Sequence, residues 1–248
     1  MLKPSLEHCI WLKEENLAFI YIPKVACTSW KIFLWQLMGN ELTPEITYKS
    51  VHNGQILALP YVNNMPEESR LEFSEGVESG GIQCCAMIRE PKSRVLSGYL
   101  DKVLNHKNPN SSFSLIILPV IRKYHGLEKD QRPTFLEFLE WNKSIKEEQG
   151  HDLNDHWRQM TEIIGIEDES IDQNKNLKLW TMTQLDEAEE WFQERLMKKI
   201  RFPSSQSLGP RPINNSKEKI ASFYGKNEID IYKRIYSSDE KLYRLLAP

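Results

Sequence analysis

The sequence predicts an α/β fold, a three-layer sandwich in which helices cover both faces of a central parallel sheet. Three observations carry that prediction. Short continuous apolar runs at residues 17–22 (LAFIYI) and 82–88 (IQCCAMI) read as buried strands, the first covered on both faces, and residues 177–183 (LKLWTMT) are a third candidate strand. Each run passes through a turn into apolar residues at helical spacing. No internal repeat or low-complexity linker interrupts this alternation, so residues 1–248 are expected to form a single domain with an ample core.

Each element has its own signal. After the first strand, Trp30, Phe33, Leu34, Leu37 and Met38 share one helix face, and Gly39 supplies a stop. The second strand leads through REPKS into a helix whose face is Val95, Leu96, Tyr99, Leu100 and Val103. Thr134 and Glu137 form a capping-box pattern at the head of FLEFLEW. Thr183 with Asp186 marks another helix start, running to a basic last turn at Lys198 and Lys199. Residues 203–212 (PSSQSLGPRP) read as loop, and one last helical pattern covers roughly 216–246.

Composition narrows the function classes. Forty per cent hydrophobic residues argue against disorder, and a net charge of −3 gives no support to nucleic-acid binding. Arg122, Lys123, Lys129 and Arg132 form a local basic segment within that balance. Cys9, Cys27, Cys84 and Cys85 lack metal-ligand spacing, and adjacent Cys84 and Cys85 point to opposite faces of a strand. That pattern suits a reducing compartment, and no metal is expected. No run approaches the roughly 20 apolar residues of a membrane span, and the N-terminal residues lack a signal-type apolar core. The expectation is a soluble, cytoplasmic protein.

The chemistry concentrates in two turns. A loop between a parallel strand and the next helix lies at the carboxyl edge of the sheet, where open α/β folds bind ligands. In residues 23–30 (PKVACTSW), Lys24 offers a point charge, Thr28 and Ser29 offer hydroxyls, and the helix N-terminus offers amides, a set suited to phosphate or sulfate. The alternative is a surface lysine followed by Ser29 as a helix cap. The loop has no G-x-x-x-x-G-K-[ST] pattern, and no aspartate follows a strand to hold a metal, so ordinary kinase chemistry is disfavoured. In the second turn Arg89 ends a strand, with Arg94 and Ser97 three residues apart on the next helix. Two anion cradles at two strand ends suit a ligand with two phosphate groups.

These two stretches, IPKVACTSWK and IREPKSRVLSGYLDK, resemble the 5′-phosphosulfate and 3′-phosphate loops of the carbohydrate sulfotransferases that include the chondroitin 4-O- and HNK-1-type enzymes. SVHNGQILAL, FLEFLEW, NDHWRQ, LWTMTQLDEAEEWF and FPSSQS all occur in that family's order, so the resemblance covers nearly the whole chain. It implies a sulfotransferase fold related to nucleotide kinases and a donor, 3′-phosphoadenosine 5′-phosphosulfate (PAPS). Lys24 would then contact the bridging oxygen of the phosphosulfate. The stretch Val25, Ala26, Cys27, Thr28, Ser29 and Trp30 would hold the 5′-phosphate, while Arg89 and Ser97 would hold the 3′-phosphate. Cys27 reads either as an activated thiol or as a small residue whose amide matters.

The acceptor proton needs a base, and among six histidines His52 ranks first and His156 second, since both match family histidines. His106 and His125 fall in a polar, insert-like region and read as surface residues, and His8 and His151 have no motif behind them. Ser204, Ser205 and Ser207 would line the donor site. The acceptor would be a hydroxyl of a sugar or small natural product. The family's animal members are Golgi membrane enzymes with paired cysteines after the HW motif, and neither feature is seen here, which points to a soluble, bacterial-type member; a Golgi lumen location would require an anchor preceding the chain. The competing classes are an ATP-dependent phosphotransferase and a non-catalytic nucleotide-binding partner protein.

Overall fold

A computed structural model describes residues 2–43, 46–47, 51, 57–167, 175–203 and 215–247. Four strands, β1 (Cys9–Leu12), β2 (Leu17–Ile20), β3 (Gln83–Ile88) and β4 (Leu177–Thr181), form one sheet in that order. The described α-helices are α1 (Cys27–Leu37), α2 (Glu67–Ser79), α3 (Pro91–Tyr99), α4 (Leu118–His125), α5 (Phe135–Lys143), α6 (Met160–Ile164), α7 (Leu185–Leu196), α8 (Ser216–Phe223) and α9 (Lys226–Leu246). No helix among the described residues is long and apolar enough to cross a membrane.

The three expected strands are present, and β2–β3 and β3–β4 pair in parallel. The sheet is not wholly parallel, because β1 adds an antiparallel edge to β2. Its four residues, CIWL, are too few to show a period, and the connecting turn uses Asn16 in the left-handed region (φ 49°) rather than a glycine signal.

Strand alternation defines the layers. Phe19 pairs with Ile10 and Cys85, and Met87 with Trp180, so these residues share one face. On that face Trp30 of α1 stacks on Phe19 with ring centroids 4.5 Å apart, and Phe192 of α7 meets Phe19, Trp30, Phe33 and Trp180 within 6.1 Å. Trp11, Ala18 and Cys84 occupy the other face, where Phe73 of α2 packs edge-on against Trp11 at 5.5 Å. Helices therefore cover both sides of the sheet, which is why its central strands are apolar from Leu17 to Ile20 and from Cys84 to Ile88.

The chain folds as two compact units. One comprises Met1–Arg89, Met160–Ile213 and Leu245–Pro248 and contains the sheet. The other comprises Glu90–Gln159 and Asn214–Arg244 and is helical, with a core that includes Tyr99, Phe135, Phe138, Trp157, Tyr232 and Tyr236. In this helical unit the expected capping box is present: Thr134 Oγ1 accepts from the Glu137 amide at 3.2 Å, and Glu137 Oε2 accepts from the Thr134 amide at 2.7 Å. Two π-helical turns, Leu100–Leu104 and Phe113–Ile117, follow α3 and precede α4.

Two boundaries differ from expectation. Helix α7 is entered through a capping box between Thr181 and Gln184, not Thr183 and Asp186, and it stops at Leu196, where Met197 turns left-handed (φ 53°). The last helical pattern is two helices, α8 and α9, the second with a non-helical residue at Tyr236 (φ −117°). Gly39 stops α1 as expected, at φ 93°.

Phe192 is fully enclosed at the junction of α1, α7 and the sheet. Phe192→Ala should lower stability by about 3–5 kcal/mol through lost burial and an unfilled cavity, read as a fall in the urea midpoint with tryptophan fluorescence as the probe.

Candidate functional site

Because β2 and β3 are parallel neighbours, the loop after β2 and the residue ending β3 emerge at the same edge of the sheet. The loop after β2 has an unusual backbone. Lys24 lies at φ 70° and Ala26 at φ 50°, ψ 27°, both left-handed and neither a glycine. Each such residue costs about 1–2 kcal/mol against the right-handed form. Val25 between them is buried, its amide donating to the Ile22 carbonyl at 3.2 Å. Ala26 is the N-cap of α1 and provides no side-chain cap, and the helical ladder begins with the Trp30 amide on the Ala26 carbonyl at 3.0 Å. The amides of Cys27, Thr28 and Ser29 thus form the first turn ahead of that ladder, carrying the positive end of the helix dipole.

Ser29 is not the cap of this helix. It is the third helical residue, and both its side chain and that of Thr28 are buried. Trp30 is also within the core, its ring fully covered.

Arg89 closes the arrangement from β3. Its Nη1 donates to the Lys24 carbonyl at 2.9 Å. A hydrogen bond from a charged donor contributes about 1.5–3 kcal/mol, enough to offset the strain of one left-handed residue. One turn into α1, Lys31 lies four residues after Cys27, with its ammonium 4.0 Å from the Tyr21 ring centroid and 5.3 Å from that of Tyr61. Burial pushes the Lys31 pKa down, with Cys27 pulling it back, and burial, with Cys27 beside it, pushes the Tyr61 phenol up to about 12. Cys9, Cys84 and Cys85 are buried, and burial raises the pKa of each thiol, to about 12 for Cys84; all four cysteines are free.

The helical unit holds the remaining predicted residues. The start of α3 is closed by its own cap: Glu90 accepts from the Lys92 amide at 3.2 Å and from the Ser93 amide at 2.6 Å, with Pro91 at the first helical position. The first turn of α3 therefore does not offer those amides to an anion. Ser97 lies further along the helix and is buried.

His156 is half-buried in a turn pinned to α3. Arg94, with 1% of its surface exposed, donates through Nη1 to the Arg158 carbonyl at 2.6 Å and through Nη2 to the Asp155 carbonyl at 2.9 Å. Gly98 permits the close approach, since a Cβ there would sit 2.8 Å from the His156 carbonyl oxygen. The His156 amide and Nδ1 both donate to Asn154 Oδ1, at 3.2 and 2.9 Å, and Phe113 meets the imidazole edge-on at 5.1 Å. Nδ1 is the protonated nitrogen in that arrangement, which puts the basic lone pair of the neutral ring on Nε2.

A cleft of about 470 Å³ in the helical unit is lined by His106, Lys107, Arg122, Lys129 and Arg132 beside Leu115 and Leu118. Backbone carbonyls orient its arginines: Arg122 donates to Gln131, and Arg132 to Val103 and His106. Of the local basic segment noted in the sequence, Arg122, Lys129 and Arg132 thus line one concave surface.

The structure brings the Lys24 loop and Arg89 into direct contact. His52, Ser204, Ser205 and Ser207 lie outside the described residues. Sequence reasoning missed the roles of Lys31, Glu90 and Arg94. Glu90 had a visible signal, a carboxylate directly before Pro91 at a helix start, and Lys31 sits one turn beyond Cys27.

The family model described as the sulfotransferase family matches residues 7–245. Carbohydrate sulfotransferase 14 of Danio rerio is 26% identical over 155 residues, covering 62% of this chain and 40% of the relative. The Homo sapiens protein of the same name is 24% identical over 153 residues, covering 61% and 38%. Carbohydrate sulfotransferase 11 of Rattus norvegicus is 25% identical over 167 residues, covering 62% and 44%. The chain spans about two fifths of the length of these relatives. No solved structure matches it at a significant level.

The left-handed cap makes its own prediction. Ala26→Gly removes a steric cost of about 1–2 kcal/mol at φ 50°, more than the roughly 0.4–1 kcal/mol that glycine's larger unfolded-state entropy takes back, so it should raise stability by about 0.5–1 kcal/mol in equilibrium urea unfolding.

Proposed function

The chain belongs to the sulfotransferase family, and from that premise we propose that it moves a sulfuryl group from PAPS to a hydroxyl of a sugar or small natural product. The observation that carries this reading is the Lys24–Ala26 turn: a strained, lysine-bearing backbone leading into a helix start with no side-chain cap, at the carboxyl edge of a parallel sheet. The first-turn amides and the Thr28 and Ser29 hydroxyls receive the 5′-phosphate, with the stretch Val25 to Trp30 as the cradle. Arg89 and Ser97 receive the 3′-phosphate that separates this donor from ATP.

The transfer is in-line. The acceptor oxygen forms a bond to sulfur as the bond from sulfur to the bridging oxygen breaks. The electron pair stays on that oxygen, leaving adenosine 3′,5′-bisphosphate, and Lys24 stabilises the charge that gathers there. The acceptor proton passes to a histidine: His52 first, from its place between the two phosphate loops, and His156 second. The Asn154 contact supports the second candidate by leaving the His156 lone pair on Nε2. No step in this scheme calls for a metal.

A sugar acceptor is supported by the relatives' names and by the basic cleft of the helical unit, which suits a sugar chain bearing anionic groups. Residues 1–248 act as a single sulfotransferase domain in this reading, consistent with a family match that runs through both compact units. Four free cysteines suit a reducing, cytoplasmic setting.

Two measurements test the reading. Adenosine 3′,5′-bisphosphate at about 100 times its Kd should stabilise the protein by roughly 2.7 kcal/mol, a Tm rise of about 5–10 °C, while ATP with Mg²⁺ gives none. A larger shift with ATP would move the assignment to a phosphotransferase, and no shift with either nucleotide would leave a non-catalytic role. Lys24→Ala should lower kcat by at least ~100-fold in a PAPS-dependent transfer assay, about 2.7 kcal/mol of transition-state stabilisation.

A further inference from the structure

Arg89 makes a contact that a simple phosphate ligand would not need. Its Nη1 donates to the main-chain carbonyl of Lys24, the first of the two left-handed residues in the loop. The direction of a side chain follows from its backbone conformation, and so does the direction of the amides that come after it. If the Lys24 peptide relaxed to the right-handed region, the directions of the Lys24 side chain and of the chain entering α1 would both change. No glycine in the loop absorbs the strain, and Ala26 brings no side-chain cap to hold it. The bond from Arg89, the residue that follows β3, is an external constraint on that peptide.

We propose that Arg89 is a positioning residue for Lys24, holding its backbone left-handed so that the ammonium and the first-turn amides are aimed before the donor arrives. The inference rests on the PAPS reading above. It adds that one guanidinium serves both donor recognition and the geometry of the residue that stabilises the leaving oxygen. A guanidinium offers five N–H groups in a rigid plane, so the main-chain bond and an anion contact do not exclude each other. Arg89 thereby contributes to turnover and not only to affinity.

The test compares wild type, Arg89→Ala and Arg89→Lys with two donors: PAPS, and adenosine 5′-phosphosulfate, which has no 3′-phosphate. A positioning role predicts that Arg89→Ala lowers kcat about 10–100-fold at saturating PAPS and lowers transfer from adenosine 5′-phosphosulfate by a similar factor. Arg89→Lys, which keeps the charge and loses the planar fork, should fall between. A rise in KM for PAPS alone, with kcat and turnover of the shorter donor unchanged, would overturn the proposal and leave Arg89 as a 3′-phosphate ligand.

Hydrogen exchange of the peptide covering residues 24–30, measured without any donor, gives a readout independent of activity. It should quicken by about tenfold in Arg89→Ala and by less in Arg89→Lys while exchange in β3 stays as in wild type, and unchanged exchange at 24–30 would sink the idea. If wild type uses neither donor, the PAPS reading fails on its own and this exchange comparison alone decides the role of Arg89. If Arg89→Ala does not fold, Arg89→Lys carries the same comparisons.

Discussion

A backbone that turns left-handed twice within three residues is the constraint on which the carboxyl edge of this sheet depends. Strand β2 is buried on both faces and must hand over to α1 within six residues, with the first turn of that helix left at the sheet edge. Glycine would make this turn at little cost, yet the chain places Lys24 and Ala26 there. A lysine at a glycine-type position carries what glycine cannot, a charge at a fixed point. The surroundings over-determine the strained form: Val25 is sealed in the core, its amide is tied to Ile22, and Arg89 holds the Lys24 carbonyl. Strain that persists under such restraint is the mark of a site whose geometry matters more than its local stability.

The same device recurs in the helical unit. Arg94 is buried there, and its guanidinium spends two donors on the carbonyls of Asp155 and Arg158, fixing the turn that carries His156 against α3. Arg122 and Arg132 likewise donate to main-chain carbonyls around the basic cleft. Arginine acts repeatedly as a clamp on loops whose backbone groups have no ladder to join. A lysine could supply the charge, but its single ammonium cannot span two carbonyls with the same fixed geometry.

The fold was legible wherever burial wrote a pattern into the sequence. Residues 17–20 and 84–88 are apolar because helices cover both faces of the sheet, so those strands stood out, as did the Thr134–Glu137 cap and the Gly39 stop. The edge strand β1 was not legible, since four residues beside a polar turn show no period. Helix α7 was displaced because Thr181 and Thr183 are both plausible caps, and only the end of β4 decides between them. At the candidate site, the residue types of the Lys24 loop were legible and their conformation was not. The left-handed backbone at Lys24 and Ala26 leaves no trace in residue choice, because neither is a residue that favours it. The Arg89 contact is likewise long-range, as are the bonds from Arg94 to the carbonyls of Asp155 and Arg158.

The interleaving of the two units along the chain bears on how the protein is made. Strands β1, β2 and β3 all leave the ribosome before residue 90, and their ladders can close among themselves. Strand β4 emerges only after the first and longer segment of the helical unit has been synthesised, and the remaining segment of that unit follows still later. During that interval the β3 edge, with Cys84 and Cys85 on it, stands without its partner strand. Translation speed through residues 90–159 therefore sets how long an apolar, thiol-bearing edge is exposed to other chains.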